Sequence, residues 1–267
     1  MKSHWIWFFY MEFCVLGSGS KGNSVLVASG DTVVVIDAGF SGVDLQQRIA
    51  CVGYQPEQIS AVLVTHEHLD HVRGVGVISR RFKLPVYANS KTYAAAEKKI
   101  GKLAVRCEFE AGTGFEIGEL GIHPFCLSHD AADPVGFLLT DGRVSLGYCT
   151  DIGKVTNLVA HHLRSCQGLV LEANHDPEML LNGPYPMFLK QRIRSGQGHL
   201  ANEDAGAFLA QLSKGDMLQH VVLAHLSDSN NDPHLALSTV RKFLDSHSEI
   251  QVAVARQDKP GDLINLS

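Results

Sequence analysis

The chain has 267 residues and a formal net charge of −5, with 45% hydrophobic and 19% charged residues. That balance supplies ample core for a globular protein and excludes a generally basic nucleic-acid-binding coat, though not a local basic groove. The six cysteines (Cys14, Cys51, Cys107, Cys126, Cys149 and Cys166) form no CxxC pair, which argues against a zinc ribbon or disulfide framework and for buried, reduced thiols in the cytoplasm.

In chain order, residues 1–10 read as an N-terminal extension ahead of a single domain over 11–267. Glu12 interrupts the opening apolar run, which argues against a signal peptide, and Met11 is an alternative start. No other stretch approaches the roughly 20 apolar residues that span a bilayer. Strands are expected at 12–17, 23–29 and 32–39, joined by Gly-rich turns, then a helix over 42–53 and a buried strand over 59–66. A helix (73–83), a strand in "PVYANS" and a second helix in "KTYAAAEKKIG" follow. The middle returns to strands, with "DG" at 141–142 marking a hairpin. After Asp151, helices alternate with the strands "GLVLEAN" and "QHVVLAH". A helix follows, with Asp232 as N-cap and Pro233 at its first position. "EIQVAVAR" is read as the closing strand. Strands then helices, twice over, predict an α/β fold of two sheets packed face to face with helices on both outer surfaces, an αββα sandwich.

The chemistry sits at strand ends. "AVLVT" runs into His66, His68, Asp70 and His71, "HPFCLS" into His129, "VSLGYCT" into Asp151, and "HVVLA" into His225. Five histidines and two aspartates converging on one rim offer nitrogen and oxygen ligands suited to zinc, manganese or iron. Seven ligands exceed one tetrahedral ion and suit two. His66, His68 and His129 would form one site, Asp70, His71 and His225 the other, and Asp151 would bridge them. Such a pair activates water and favours an anionic substrate.

With these residues the chain resembles the metallo-β-lactamase superfamily over nearly its whole length. In that family the Asp of the first motif, here Asp37 in "VIDAG", holds the metal-site loop. "GSGSKGNS" (17–24), "LEANHD" (171–176), "GHLANEDA" (198–205) and "AHLSDSNND" (224–232) are together similar to the YycJ (WalJ) group. That resemblance implies metal-dependent phosphodiester hydrolysis on DNA by a metal-bound hydroxide, as a 5′-to-3′ exonuclease linked to mismatch-repair proteins. Ala201 departs from the group's usual serine. The alternatives are a small-molecule hydrolase (a cyclic phosphodiesterase or a thioesterase) and a non-catalytic partner in envelope-stress signalling.

Other residues carry two readings each. The 17–24 stretch either presents Ser20, Lys21 and Asn23 to a phosphate or is a tight hairpin. His199 either contacts phosphate and protonates the leaving oxygen or caps a helix. His175 lies near the site or packs its loop, while His161, His162, His220, His234 and His247 are read as surface or structural. Basic runs at Arg73, Arg80, Arg81 and Lys83, at Lys98, Lys99, Lys102 and Arg106, and at Lys190, Arg192 and Arg194 could track a DNA backbone or be solvated helix faces. The last of them falls in segment 183–199, which has few strand or helix signals and is read as a substrate lid.

Overall fold

The computed structural model describes residues 11–246 and 248–267. The expected N-terminal extension and His247 lie outside the described residues. The strands are β1 (Met11–Gly17), β2 (Ser24–Ser29), β3 (Thr32–Ile36), β4 (Ile59–Leu63), β5 (Pro85–Ala88), β6 (Val105–Glu108), β7 (Phe115–Ile117), β8 (Leu120–Cys126), β9 (Val135–Thr140), β10 (Ser145–Cys149), β11 (Gly168–Glu172), β12 (His220–Ala224), β13 (Gln251–Val254) and β14 (Ile264–Leu266). They form two seven-stranded sheets, ordered β14-β1-β2-β3-β4-β5-β6 and β13-β12-β11-β10-β9-β8-β7.

Alternation along the strands builds three apolar layers. Phe13, Val15, Val25 and Val27 point between the sheets, where they meet Phe137, Leu139 and Tyr148. Their neighbours Cys14, Leu16, Leu26 and Ala28 point outward. They pack with residues of α1 (Gly42–Cys51), α3 (Val75–Phe82) and α4 (Ser90–Ile100), α1 lying before and α3 and α4 after the short α2 (Leu69–Val72). The second sheet is covered likewise by α5 (Asn157–Leu163), α8 (Asn202–Leu212) and α9 (Pro233–Arg241). Burial on both faces explains why β2, β3 and β11 are continuous apolar runs. The αββα expectation is therefore met.

Three expectations are corrected. The chain does not close at β13: residues 264–266 return to the first sheet and pair antiparallel with β1, Met11 opposite Leu266. Segment 183–199 is not structureless. It contains α7 (Met187–Ile193), which follows α6 (Pro177–Asn182), and Pro186 supplies the extended N-cap. Only Cys14, Cys149 and Cys166 are buried; Cys51 and Cys126 are exposed and Cys107 is half-buried, although all six are free thiols. Cys126 is exposed at the last position of β8.

Strand direction places the site. β3 and β4 are parallel and end together (Ile36 opposite Leu63), and β10, β11 and β12 are parallel, with Cys149 opposite Leu171 and Glu172 opposite Ala224. β8 runs in the same sense as β10, since each pairs antiparallel with β9. The residues that follow these strands gather on one edge of the sandwich, as ligand sites in α/β sheets do.

Ala201 is the N-cap of α8 and contributes no side-chain hydrogen bond. Ala201→Ser restores a hydroxyl able to accept from the first turn. The expected gain is about 1 kcal/mol, read as a higher urea midpoint with unchanged slope.

Candidate metal centre

The tight turns at the strand ends are made by residues in the left-handed backbone region. Asp37, Asp151 and His225 have φ of 58°, 57° and 56°, a conformation that disfavours L-residues by roughly 1–2 kcal/mol. Asp37 and His225 are held there by hydrogen bonds. Asp37 accepts from the Thr65 backbone N–H (2.9 Å) and the Thr65 hydroxyl (2.8 Å), and the His225 N–H donates to Ser18 Oγ at 2.8 Å.

In four of the five clustered imidazoles the outer nitrogen is occupied, and this aims the other one. His71 Nδ1 donates to Asp37 Oδ2 (2.7 Å), His129 Nδ1 to the Gly198 carbonyl (3.0 Å) and His225 Nδ1 to Glu172 Oε1 (2.7 Å). Thr65 Oγ1, already donating to Asp37, accepts from His66 Nδ1 at 2.9 Å. Orientation of this kind fixes the tautomer and raises ligand basicity. Asp37 lies beneath the loop, fully buried, and also accepts from Tyr148 Oη at 3.3 Å.

The seven expected ligands come together. Among the described residues, His66, His68 and His129 form one group and Asp70, His71 and His225 another, while Asp151 joins further groups with His66 and His71 or with His225, His199 and Glu172. Within the first group, His68 Nδ1 is 3.0 Å from His66 Nε2 and 3.4 Å from His129 Nε2. A tetrahedron built on Zn–N bonds of 2.0–2.1 Å has an edge of about 3.3 Å, so the spacing fits a divalent ion. In the second, Asp70 Oδ2 lies 3.6 Å from His71 Nε2 and 3.5 Å from His225 Nε2. Asp151 stands between them, Oδ1 3.7 Å from His129 Nε2 and Oδ2 3.1 Å from His71 Nε2.

Two further observations favour cations here. Asp151 Oδ2 and His225 Nε2 are buried and lack an aligned hydrogen-bond partner among the described residues, a costly state unless something else satisfies them. Asp37, Asp70, Asp151 and Glu172 also crowd one region with an excess of negative charge. Burial opposes protonation of His71 and His225, yet Asp151 and its neighbouring carboxylates override it and push both pKa values well above the usual imidazole range. His66, fully buried with His71 alongside, is pushed the other way and keeps its lone pair.

Glu172 was not expected. It closes β11, is completely buried, and accepts from His225 Nδ1, from His199 Nδ1 (2.8 Å) and from the backbone N–H groups of Leu200 (3.0 Å) and Ile152 (2.9 Å). Burial alone would raise its pKa, but the His199 and His225 contacts hold it down at about 2. His199 is correspondingly raised: desolvation works against its charge, and Glu172 more than offsets this.

The remaining candidates are placed as follows. His199 and Ser20 line the same cavity as His68, Asp70, Asp151 and His225. Asn23 is buried below it, donating to Asp70 Oδ2 (3.2 Å) and the Gly19 carbonyl (3.1 Å), so it holds a ligand instead of facing substrate. Lys21 points to solvent and pairs with Asp228 at 2.7 Å. His175 packs the loop: it is buried, its carbonyl accepts from Asn202 N–H, and burial lowers its pKa to about 4. Of the three basic runs, only the last reaches the cavity, through Arg192.

A cavity-edge cluster of five histidines and two aspartates on an αββα sandwich defines a metallohydrolase-type centre. The family model for the beta-lactamase superfamily domain matches residues 32–225, and the chain belongs to that superfamily. It is 38% identical over 237 residues to exodeoxyribonuclease YycJ of Bacillus anthracis, covering 88% of this chain and 89% of that protein. It is also 38% identical over 233 residues to exodeoxyribonuclease WalJ of Streptococcus pneumoniae, covering 86% of each. Among solved structures, the metallo-beta-lactamase fold protein YhfI of Bacillus subtilis superposes with a TM-score of 0.75 at 17% identity, covering 96% of this chain and 99% of that one. Human tRNase Z, short form, does so with a TM-score of 0.66 at 15% identity, covering 95% and 100%. At such identities these two structures support the fold alone.

Proposed function

We propose that the chain is a metal-dependent exodeoxyribonuclease that removes nucleotides from DNA in the 5′-to-3′ direction, using two divalent ions, zinc, manganese or iron. The observation that carries this reading is the full candidate ligand set, with four of its five histidines anchored through the outer nitrogen, in a chain matching two exodeoxyribonucleases over most of their length. His66, His68 and His129 would hold one ion and Asp70, His71 and His225 the other, with Asp151 between them. Bound divalent ions lower the pKa of water and offset charge on a phosphate under attack.

The protein's own groups supply the proton. Glu172 accepts from His199 Nδ1–H and favours the protonated imidazole, whose Nε2–H would donate to the departing 3′-oxygen. A raised His199 pKa predicts a kcat/KM that falls as pH rises through it. Glu172→Gln removes the carboxylate, lowers that pKa and moves the falling limb to lower pH. His199→Ala should lack the limb altogether, and a wild-type limb retained in either variant would assign the proton elsewhere.

The substrate class is tested by incubating the protein with linear duplex labelled at either 5′ or 3′ ends and with covalently closed circular DNA. Loss of the 5′ label first, with the circle intact, is expected. Nicking of the circle would indicate an endonuclease, and cleavage confined to small phosphodiesters or thioesters would favour a small-molecule hydrolase. No helix among the described residues is long and apolar enough to cross a membrane. A cytoplasmic location and work alongside mismatch-repair proteins accord with six free thiols and a DNA substrate.

A further inference from the structure

The cavity around the ligands measures about 330 Å³, near the lower end of the range for small-molecule sites, so a polymer must continue over its rim. One wall is α7, whose Leu189, Arg192 and Ile193 line the cavity together with Tyr185 just ahead of the helix. Phe188 lies one turn before Arg192 on the same flank, since residues four apart in a helix are neighbours. Its side chain is 72% exposed.

Single exposed apolar residues are ordinary. Here Leu181, Met187 and Phe188 are all exposed within one short stretch, next to Lys190, Arg192 and Arg194. Aromatic faces set among cations at the mouth of a phosphodiester site are what single strands bind, the rings stacking on bases and the cations tracking phosphates. Arg192 Nε is paired with Asp130 Oδ2, a cavity-lining carboxylate that would otherwise repel a phosphate.

Building on the exonuclease reading, we propose that Phe188 and Tyr185 form a stacking platform for the bases flanking the cleaved bond, with Arg192, still paired to Asp130 through Nε, offering its terminal N–H groups to a substrate phosphate. The platform takes up terminal bases that have left the helix, so a linear duplex is entered through its frayed end.

The test uses the full chain reconstituted with manganese and a single-stranded phosphorothioate oligonucleotide carrying 2-aminopurine at successive positions from one end. Stacking should quench the fluorophore at a defined position. Phe188→Ala should abolish that quenching and weaken binding about tenfold or more. Phe188→Leu, apolar but unable to stack, should behave like the alanine variant, and Phe188→Trp should restore both signals. Wild-type quenching and affinity in Phe188→Ala or Phe188→Leu would overturn the platform while leaving the exonuclease reading standing. Failure of the wild-type protein to bind the oligonucleotide would overturn the platform, while the end-labelled duplex assay decides the exonuclease reading independently.

Discussion

Asp70→Ala is expected to lower DNA hydrolysis by more than about 100-fold and to reduce the bound divalent metal, while the protein stays folded. The size follows from its position: Asp70 Oδ2 is a member of the second ligand group, 3.5 Å from His225 Nε2 and 3.6 Å from His71 Nε2. Losing a group that merely orients a ligand typically lowers affinity or activity 10–100-fold, and losing a ligand should exceed this. The fold should survive because the Asp70 side chain is 23% exposed and its backbone carbonyl, which anchors the Asn23 N–H, is retained. Metal analysis and a turnover assay on the same preparation check this. Wild-type activity in the variant would remove Asp70 from the metal centre.

Asp37→Ala is expected to be the most destabilising substitution at the site, by about 3–5 kcal/mol, the range for stripping one partner from a buried charged pair. It would leave His71 Nδ1, the Thr65 N–H and the Thr65 hydroxyl without their acceptor in a fully buried position. Alanine would also have to hold φ near 58°, where asparagine is better tolerated. Asp37→Asn therefore separates the two effects: most of the stability returns, while metal affinity remains lowered about 10–100-fold because His71 loses its carboxylate. Urea unfolding and competitive chelator titration measure them independently. Equal stability of the alanine variant and wild type would contradict the assigned role.

The candidate ligands were legible because each leaves a local mark. His66 to His71 are dense in one turn, and His129, Asp151 and His225 each follow an apolar strand whose direction brings its end to the common rim. Glu172 carried a weaker mark of the same kind. "GLVLE" ends in a carboxylate as "VVVID" does, yet its partners lie 27 and 53 residues away, and no local spacing reveals them. Asn23 was legible only as part of a Gly-rich turn; its bond to Asp70 spans 47 residues and depends on tertiary packing. β14 escaped notice because three residues ending in "INL" hold too little alternation to register as a strand. α7 escaped because Gly183, Pro184 and Pro186 directly precede it and read as loop, although Pro186 in fact serves as its N-cap.

Metal-dependent turnover of DNA tests the central claim most directly. Protein stripped with chelator is reloaded stepwise with manganese or zinc, and each sample is assayed both for ions per chain and for nucleotides released from linear DNA. The predicted result is no release from stripped protein, and release that rises with loading to a maximum near two ions per chain. Full release from stripped protein, or none at full occupancy with either metal, would contradict the assignment of this centre to DNA hydrolysis.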